Sequence, residues 1–564
     1  MNRNLLILIA LLWWDSSAVA AETVQSARRG MVATIQPIAT RAGLDALRCG
    51  GNAIDAAIAC ALTLGVVDSH NSGIGGGCFM LIRLADGRLF ALDGRETAPA
   101  RATRDMFLRN GKADPALSQD GALAVGVPGE LAVLAQASRR FGRMPMRSLL
   151  EAAARVAEMG FPIDRHYAHR LKDTHRQLAA SPEARAIFLN ADGQPFAAGD
   201  VLRQRDLAAS YRAIATNGVE WFYQGAFAKR TADWMRSHGG LLNEQDFSGY
   251  QVVDREPVRG SYRGFDLVSF PPPSSGGVHV VEILNILEPH DVNSLGDRSA
   301  DFVHLVSEAM KLAFADRATW LGDPDFTPVP RGLVSKAYAR DLSRRIRMDR
   351  ATPVTAAGTP PAADTDVFRK EANRHTTHFA TVDAEGNWVA CTASLNTSFG
   401  SKVVIPGTGI LLNNHMDDFA AQPGVPNYFG LVGAEANAVS PGKRPLSSMS
   451  PTFVLKEGKP ILSIGAAGGP TIITQTVLAI LRTLDFGADP GSALLGGRFH
   501  HQWKPDELRI ESRFDTAVIE ELRRRGHRVV VEPSIGAAQA IGIGRVDGFV
   551  GAADPRSEGR AEGF

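Results

Sequence analysis

Residues 351–375 interrupt a chain that otherwise carries clear helical or strand-like patterning. Thr, Pro, Ala and Asp recur there, as in Thr359-Pro360-Pro361-Ala362-Ala363-Asp364, and little apolar periodicity runs through the stretch. Such composition reads as an exposed, mobile loop. Directly after it the character turns to β. Thr377 to Asp383 alternates as a strand, Ala384-Glu385-Gly386-Asn387 reads as a turn, and Trp388 to Asn396 returns. A loop this long inside a compact fold asks for a reason, and function is one.

The flanking regions carry many elements. Two helices are predicted over 37–67: the first stops at Gly50-Gly51, and Asn52 caps a second that is apolar all round to Val67. A Gly-rich turn at 73–77 leads to a strand from Cys78 to Leu84, the turn Asp86-Gly87 and a strand from Leu89, a strong hairpin signal. Residues 140–345 are mostly helical in pattern, most clearly Val303 to Thr319. A second hairpin joins Phe453–Leu455 to Ile461–Ile464, a helix follows from Ile472 to Leu484, and a last β region runs from Val529 to Val550. No internal repeat is present. The length suggests two to four domains or one composite unit.

Lys and Arg number 61 against 60 Asp and Glu, a formal net charge of +1, so no field favours nucleic acid or an anionic membrane. The run Arg523-Arg524-Arg525 reads as a solvated helix face. Arg3, the apolar run Leu5 to Trp14 and the small-x-small site Ala18-Val19-Ala20 form the pattern of a removable export signal over residues 1–20. That run is about half a bilayer span, so a periplasmic or secreted protein without a stable membrane span is expected. Cys49, Cys60, Cys78 and Cys391 form no CxxC pair and read as buried thiols. HExxH, P-loop and GxSxG motifs are absent. Asp417-Asp418 and His500-His501 are adjacent pairs that seldom face one ion together, so no metal is expected. Ser274-Ser275-Gly276-Gly277 reads as a tight turn.

Residues 375–378 read His-Thr-Thr-His, which taken alone is a polar strand start. A Thr hydroxyl is a poor nucleophile without an adjacent base. As an N-terminus, Thr376 would carry that base, because its own α-amine, with a pKa of about 8, can accept the hydroxyl proton. This requires a cut between His375 and Thr376, and a mobile loop ending at a strand provides the geometry.

Other stretches accompany Thr376-Thr377-His378. They are Pro271-Pro272-Pro273-Ser274-Ser275-Gly276-Gly277, Leu411-Leu412-Asn413-Asn414 through Asp417-Asp418-Phe419, Arg444-Pro445-Leu446-Ser447-Ser448-Met449-Ser450-Pro451, Phe499-His500-His501-Gln502-Trp503 and Asp554-Pro555-Arg556-Ser557. In this order they resemble the γ-glutamyltransferase family of N-terminal nucleophile hydrolases, from about Gly30 to the C-terminus. The resemblance implies an α+β fold, a four-layer αββα sandwich built from both parts of a cut chain. Thr376 would attack the carbonyl of His375, leaving a large subunit over 21–375 and a small catalytic subunit over 376–564. It implies transfer or hydrolysis of the γ-glutamyl group of glutathione and related compounds, with amino acid or dipeptide acceptors and no cofactor.

By the same resemblance, Arg95 grips the substrate α-carboxylate with Ser447 and Ser448. Asp418 and the side-chain carbonyl of Asn396 take the α-ammonium, Gly468 and Gly469 form the oxyanion hole, and Ser394 orients Thr376. The residue types suit these tasks. A carboxylate calls for a guanidinium fork, and glycine lets backbone N–H groups approach a developing oxyanion closely.

Three departures stand out. His415 replaces the Gln or Glu usual near the α-ammonium, so weaker selectivity for the α-amino group is expected, especially at low pH. Residues 423–430 align with the lid, where Phe429 lacks the hydroxyl by which some relatives latch to the Asn at 396; a looser lid is expected unless Tyr428 substitutes. Ala467 and Pro470-Thr471 beside the oxyanion glycines read as neutral changes. Two alternatives stay open. One is a glutaryl- or cephalosporin-type acylase of the same family, against which Asp418 argues while His415 mildly supports it. The other is a non-catalytic γ-glutamyl-peptide-binding protein, against which Thr376, Gly468 and Gly469 argue.

Overall fold

Strands apolar on both faces must lie between two covering layers. In Trp388–Ser394, Trp388 and Ala390 enter one core while Val389, Cys391 and Ala393 enter another. Gly77–Arg83 divides likewise, with Phe79 and Leu81 on one side and Cys78, Met80 and Ile82 on the other. The computed structural model describes residues 23–363, 365–368, 378–544 and 548–564, and it resolves this pattern into two stacked antiparallel sheets of seven strands.

One sheet runs in the order Val24–Ala27, Phe549–Ala553, Ala537–Ile543, Lys459–Ala467, Thr452–Lys456, Phe265–Ser269, Val258–Tyr262. The other runs Arg560–Gly563, Gly30–Thr34, Phe379–Asp383, Trp388–Ser394, Gly77–Arg83, Leu89–Asp93, Val253–Arg255. They meet face to face, Trp388–Ser394 against Lys459–Ala467 and Phe379–Asp383 against Ala537–Ile543. Helices Pro37–Arg48 and Ala53–Val67 cover one outer face; Gly276–Leu287 and Thr471–Leu484 cover the other, with Ala300–Trp320 packed beyond. The result is the expected αββα sandwich.

Local chemistry sets these elements. Asn52 accepts from the N–H groups of Ile54 and Asp55, and Asp55 returns a bond to Asn52 N–H, a reciprocal cap. Every residue of Ala53–Val67 is buried, as its uniform apolarity predicts.

Four expectations change. The largely helical middle also supplies Val253–Arg255 and the hairpin Val258–Tyr262/Phe265–Ser269, which edge the two sheets; short edge strands with half-exposed residues carry little periodicity. The last β region divides, since Val529–Glu532 pairs in parallel with Leu508–Glu511 in a small separate sheet. Cys49 is exposed at a helix end, whereas the other three thiols are buried. The described part of 351–368 is fastened rather than free. Trp503 Nε1 donates to Val354 O at 2.7 Å, Trp320 Nε1 to Gly358 O at 3.1 Å, and Gly358 N–H to Asp316 Oδ1 at 2.6 Å. Val367–Phe368 pairs with Val329–Pro330. These partners come from distant segments, so local composition could not reveal them. The export signal over 1–20 lies outside the described residues, among which no helix is long and apolar enough to cross a membrane.

Candidate active site

Side chains alternate along a strand, so Thr392 and Ser394 follow Trp388 and Ala390 toward the space between the sheets. Ser394 Oγ accepts from Asn396 N–H at 2.8 Å. Asn396 has φ 85°, in the left-handed range that Asn tolerates, and its Nδ2 donates to Asn414 O at 3.1 Å. That bond leaves the side-chain carbonyl as the group free to accept. His378 Nδ1 lies 3.1 Å from Thr392 Oγ1, and burial pushes its pKa down to about 3, so the ring is neutral.

The opposite sheet supplies the facing wall. Lys459–Ala467 leads through Gly468 (φ 129°) and Gly469 (φ 58°) into helix Thr471–Leu484. Among the described residues neither glycine N–H donates to a backbone carbonyl. Both stand at a helix N-terminus, where the dipole favours negative charge. Thr471 Oγ1 bonds Gly468 O at 2.8 Å and Gln475 Nε2 bonds Ala467 O at 2.9 Å, holding the turn.

A charged corner closes the end. Arg95 is fully buried. Its Nη2 donates to Asp418 Oδ2 at 2.5 Å and its Nε to Pro445 O at 3.0 Å, while Nη1 has no hydrogen-bond partner among the described residues and lies 3.7 Å from Glu96. Arg444 Nη1 and Tyr250 hydroxyl both donate to Arg95 O, tying its turn to the 444–448 segment. Asn437 bridges the same parts: its Nδ2 donates to Asp418 O, and its Oδ1 accepts from Leu446 N–H. Ser447 O accepts from both N–H and Oγ of Ser275, and Ser448 Oγ accepts from Arg317 Nη2 at 3.1 Å.

Desolvation governs the protonation states here. Burial raises the pKa of Asp418 although Arg95 opposes it, and pushes Glu96 up to about 8. Burial, with the Arg95 charge added, holds His415 well below the ordinary imidazole range. His415 Nδ1 lies 2.9 Å from Glu96 Oε1 without the alignment of a hydrogen bond. Held neutral at neutral pH by burial, His415 does not repel an ammonium there.

Ser394, Asn396, His415, Asp418, Phe429, Ser447, Ser448, Gly468 and Gly469 line one cleft of about 720 Å³, its open mouth included. Arg95 stands behind Asp418. Tyr428 does not join them; it is 56% exposed and contributes its N–H to Asp417 Oδ2 at 2.9 Å. Tyr428 therefore does not fasten segment 423–430 to Asn396. Asn427 Oδ1 accepts from Phe429 and Leu431 N–H groups, Gln502 Nε2 donates to Phe429 O, and the Phe429 ring rests over Gly469. His375 and Thr376 lie outside the described residues.

Glu96, Arg317 and Asn437 were missed. Arg317 had a signal, a cation on an otherwise apolar helix face, and Glu96 adjoins Arg95; Asn437 had none. Away from the cleft, His304, Glu308 and His527 bring ligand-type atoms within 4.8 Å of one another. However, His304 Nδ1 and His527 Nε2 bond each other at 2.7 Å, and Lys311 lies 2.6 Å from Glu308. The two imidazoles thus engage each other, and a cation already stands beside the carboxylate.

Comparison with known proteins agrees with this geometry. The family profile described as Gamma-glutamyltranspeptidase matches residues 39–564. The chain is 44% identical over 534 residues to the glutathione hydrolase proenzyme of Escherichia coli (strain K12), covering 94% of this chain and 91% of that one. It is 38% identical to the acylase ACY 1 proenzyme of Pseudomonas sp. (strain SE83), covering 95% and 93%. The crystal structure of cephalosporin acylase from Bacillus halodurans superposes with a TM-score of 0.84 at 30% identity, covering 96% of this chain and 97% of that one. With the profile spanning nearly the whole chain and the sandwich and cleft in place, this protein belongs to the γ-glutamyltranspeptidase family.

Proposed function

We propose that the cleft carries out γ-glutamyl transfer and hydrolysis through a Thr376 γ-glutamyl ester, after Thr376 has severed its own chain from His375. One observation carries this reading. A corner able to read an amino acid head group (Arg95, Asp418, Ser447, Ser448) shares a cleft with two glycine N–H groups at a helix N-terminus.

The steps follow from the groups. The Thr376 hydroxyl adds to the γ-carbonyl and its α-amine takes the proton. Negative charge develops on the carbonyl oxygen, toward Gly468 and Gly469; one such donor is worth about 3 kcal/mol of barrier. Collapse breaks the C–N bond, the amine leaves with the proton, and the glutamyl ester remains. Water then releases glutamate, or an amino acid or dipeptide amine takes the glutamyl group. Ser394 orients the nucleophile. The large subunit spans 21–375 and the small one 376–564, exported after removal of residues 1–20. Glutathione is the substrate favoured, as the E. coli relative's name indicates.

A glutaryl- or cephalosporin-type acylase is the second reading, supported by the acylase relatives and His415. The buried Asp418 carboxylate favours a substrate bearing an ammonium. Comparing kcat/KM for γ-glutamyl- and glutaryl-p-nitroanilide tests the choice: the proposal expects a γ-glutamyl preference of at least about tenfold, and a glutaryl preference would overturn it.

A further inference from the structure

Arg317 lies on helix Ala300–Trp320 and is 5% exposed. It forms no ion pair among the described residues; Asp418 is the carboxylate that acts on it from a distance. A buried cation without a paired anion is costly, and a ligand anion is one way to complete it. Its hydrogen bonds lead to the substrate corner. Nε donates to Ser275 Oγ at 2.9 Å, and Ser275 Oγ donates to Ser447 O at 2.7 Å. Nη2 donates to Ser448 Oγ at 3.1 Å.

Two consequences follow. A hydroxyl that accepts from Arg317 turns its own proton elsewhere, and Ser448 faces the cleft, so that proton is available to a bound carboxylate. Arg95, meanwhile, is largely engaged: Asp418 takes Nη2 and neutralises it, Pro445 O takes Nε, and Nη1 alone lacks a partner among the described residues. One neutralised guanidinium leaves the corner short of positive charge for an anion.

We propose that Arg317 is a positioning residue of the α-carboxylate subsite, aligning the Ser448 hydroxyl and supplying the second positive charge behind it. Arg317 does not line the cleft, so it acts through Ser448 rather than by contact. Burial lowers its pKa only to about 10, which leaves it charged at neutral pH. The inference rests on the γ-glutamyl reading above and adds to it a determinant of carboxylate recognition.

The test compares γ-glutamyl-p-nitroanilide with 4-aminobutyryl-p-nitroanilide, which differs by the missing α-carboxylate. Wild-type enzyme, Arg317→Met, Arg317→Lys, Ser448→Ala and the Arg317→Met/Ser448→Ala double variant are assayed. The ratio of the two kcat/KM values cancels any loss of folded or cleaved enzyme. Arg317→Met is expected to reduce that ratio roughly 10–100-fold, mainly through KM for the γ-glutamyl substrate. Arg317→Lys should reduce it less, and Ser448→Ala should add little to Arg317→Met, because the two act as one unit. A ratio within twofold of wild type in Arg317→Met, or a parallel fall for both substrates, overturns the inference. If the wild-type enzyme does not turn over the γ-glutamyl substrate, the underlying reading fails and takes the inference with it.

Discussion

Arg95 has each edge of its fork assigned, to Asp418, to Pro445 O and to the open corner beside Glu96. Lysine offers a point charge in place of that plane. Arg95→Lys should therefore lower kcat/KM for γ-glutamyl-p-nitroanilide by about 100-fold, near 3 kcal/mol; an unchanged value contradicts the assigned role. Glu130 makes a different point. It is buried, and burial pushes its pKa up to about 8 although the Gly73 backbone N–H opposes the shift. In the unfolded chain it ionises at about 4.3. Between these values the folded form holds a proton that the unfolded form has lost, so stability falls as pH rises from about 4.5 to 8 and levels off above. Glu130→Gln should flatten that decline in thermal midpoint between pH 5 and 8, whereas equal declines in variant and wild type contradict it. At this scale the sequence was read through motifs. Arg95, Asp418 and the glycine pair lie inside short recognisable stretches. Arg317 stood out only as a cation on an apolar helix face, and its bond to Ser448, like that of Asn437 to Asp418, reaches another segment that no local pattern names.

Among the elements, the turn between Lys459–Ala467 and helix Thr471–Leu484 is the most constrained. A Cβ at Gly469 would lie 2.6 Å from the Phe429 ring, on a backbone with φ 58°. Gly469→Ala should push Phe429 outward and misplace the adjacent N–H, lowering kcat by roughly 10–100-fold and speeding proteolysis within 423–430. Normal kcat with an equally resistant lid contradicts the coupling. Hairpins and the buried helix Ala53–Val67 were readable because turn chemistry and uniform apolarity are local. The edge strands Val253–Arg255 and Val258–Tyr262 were not, since their partly exposed residues share the polarity of the helices around them. Tyr428 shows the same limit, because adjacency to Phe429 did not bring it into the cleft.

For the whole molecule, the topology matters most. Each large sheet mixes strands from before and after residue 376. Phe379–Asp383 lies between Gly30–Thr34 and Trp388–Ser394, and Thr452–Lys456 pairs with Phe265–Ser269. Cut fragments therefore cannot part without breaking both sheets. They should co-elute through size-exclusion chromatography and separate only in denaturant; separation under native conditions contradicts the described pairing. The αββα layering itself was expected from resemblance, and the two-faced apolarity of strands such as Gly77–Arg83 gives it a physical basis.

The most direct test is the intact mass of the purified protein under denaturing conditions, alongside Thr376→Ala. The wild type should give two chains, the lighter beginning at Thr376, and the variant one uncut chain. A wild-type chain that stays whole on prolonged incubation yet turns over γ-glutamyl substrate would contradict an N-terminal threonine nucleophile.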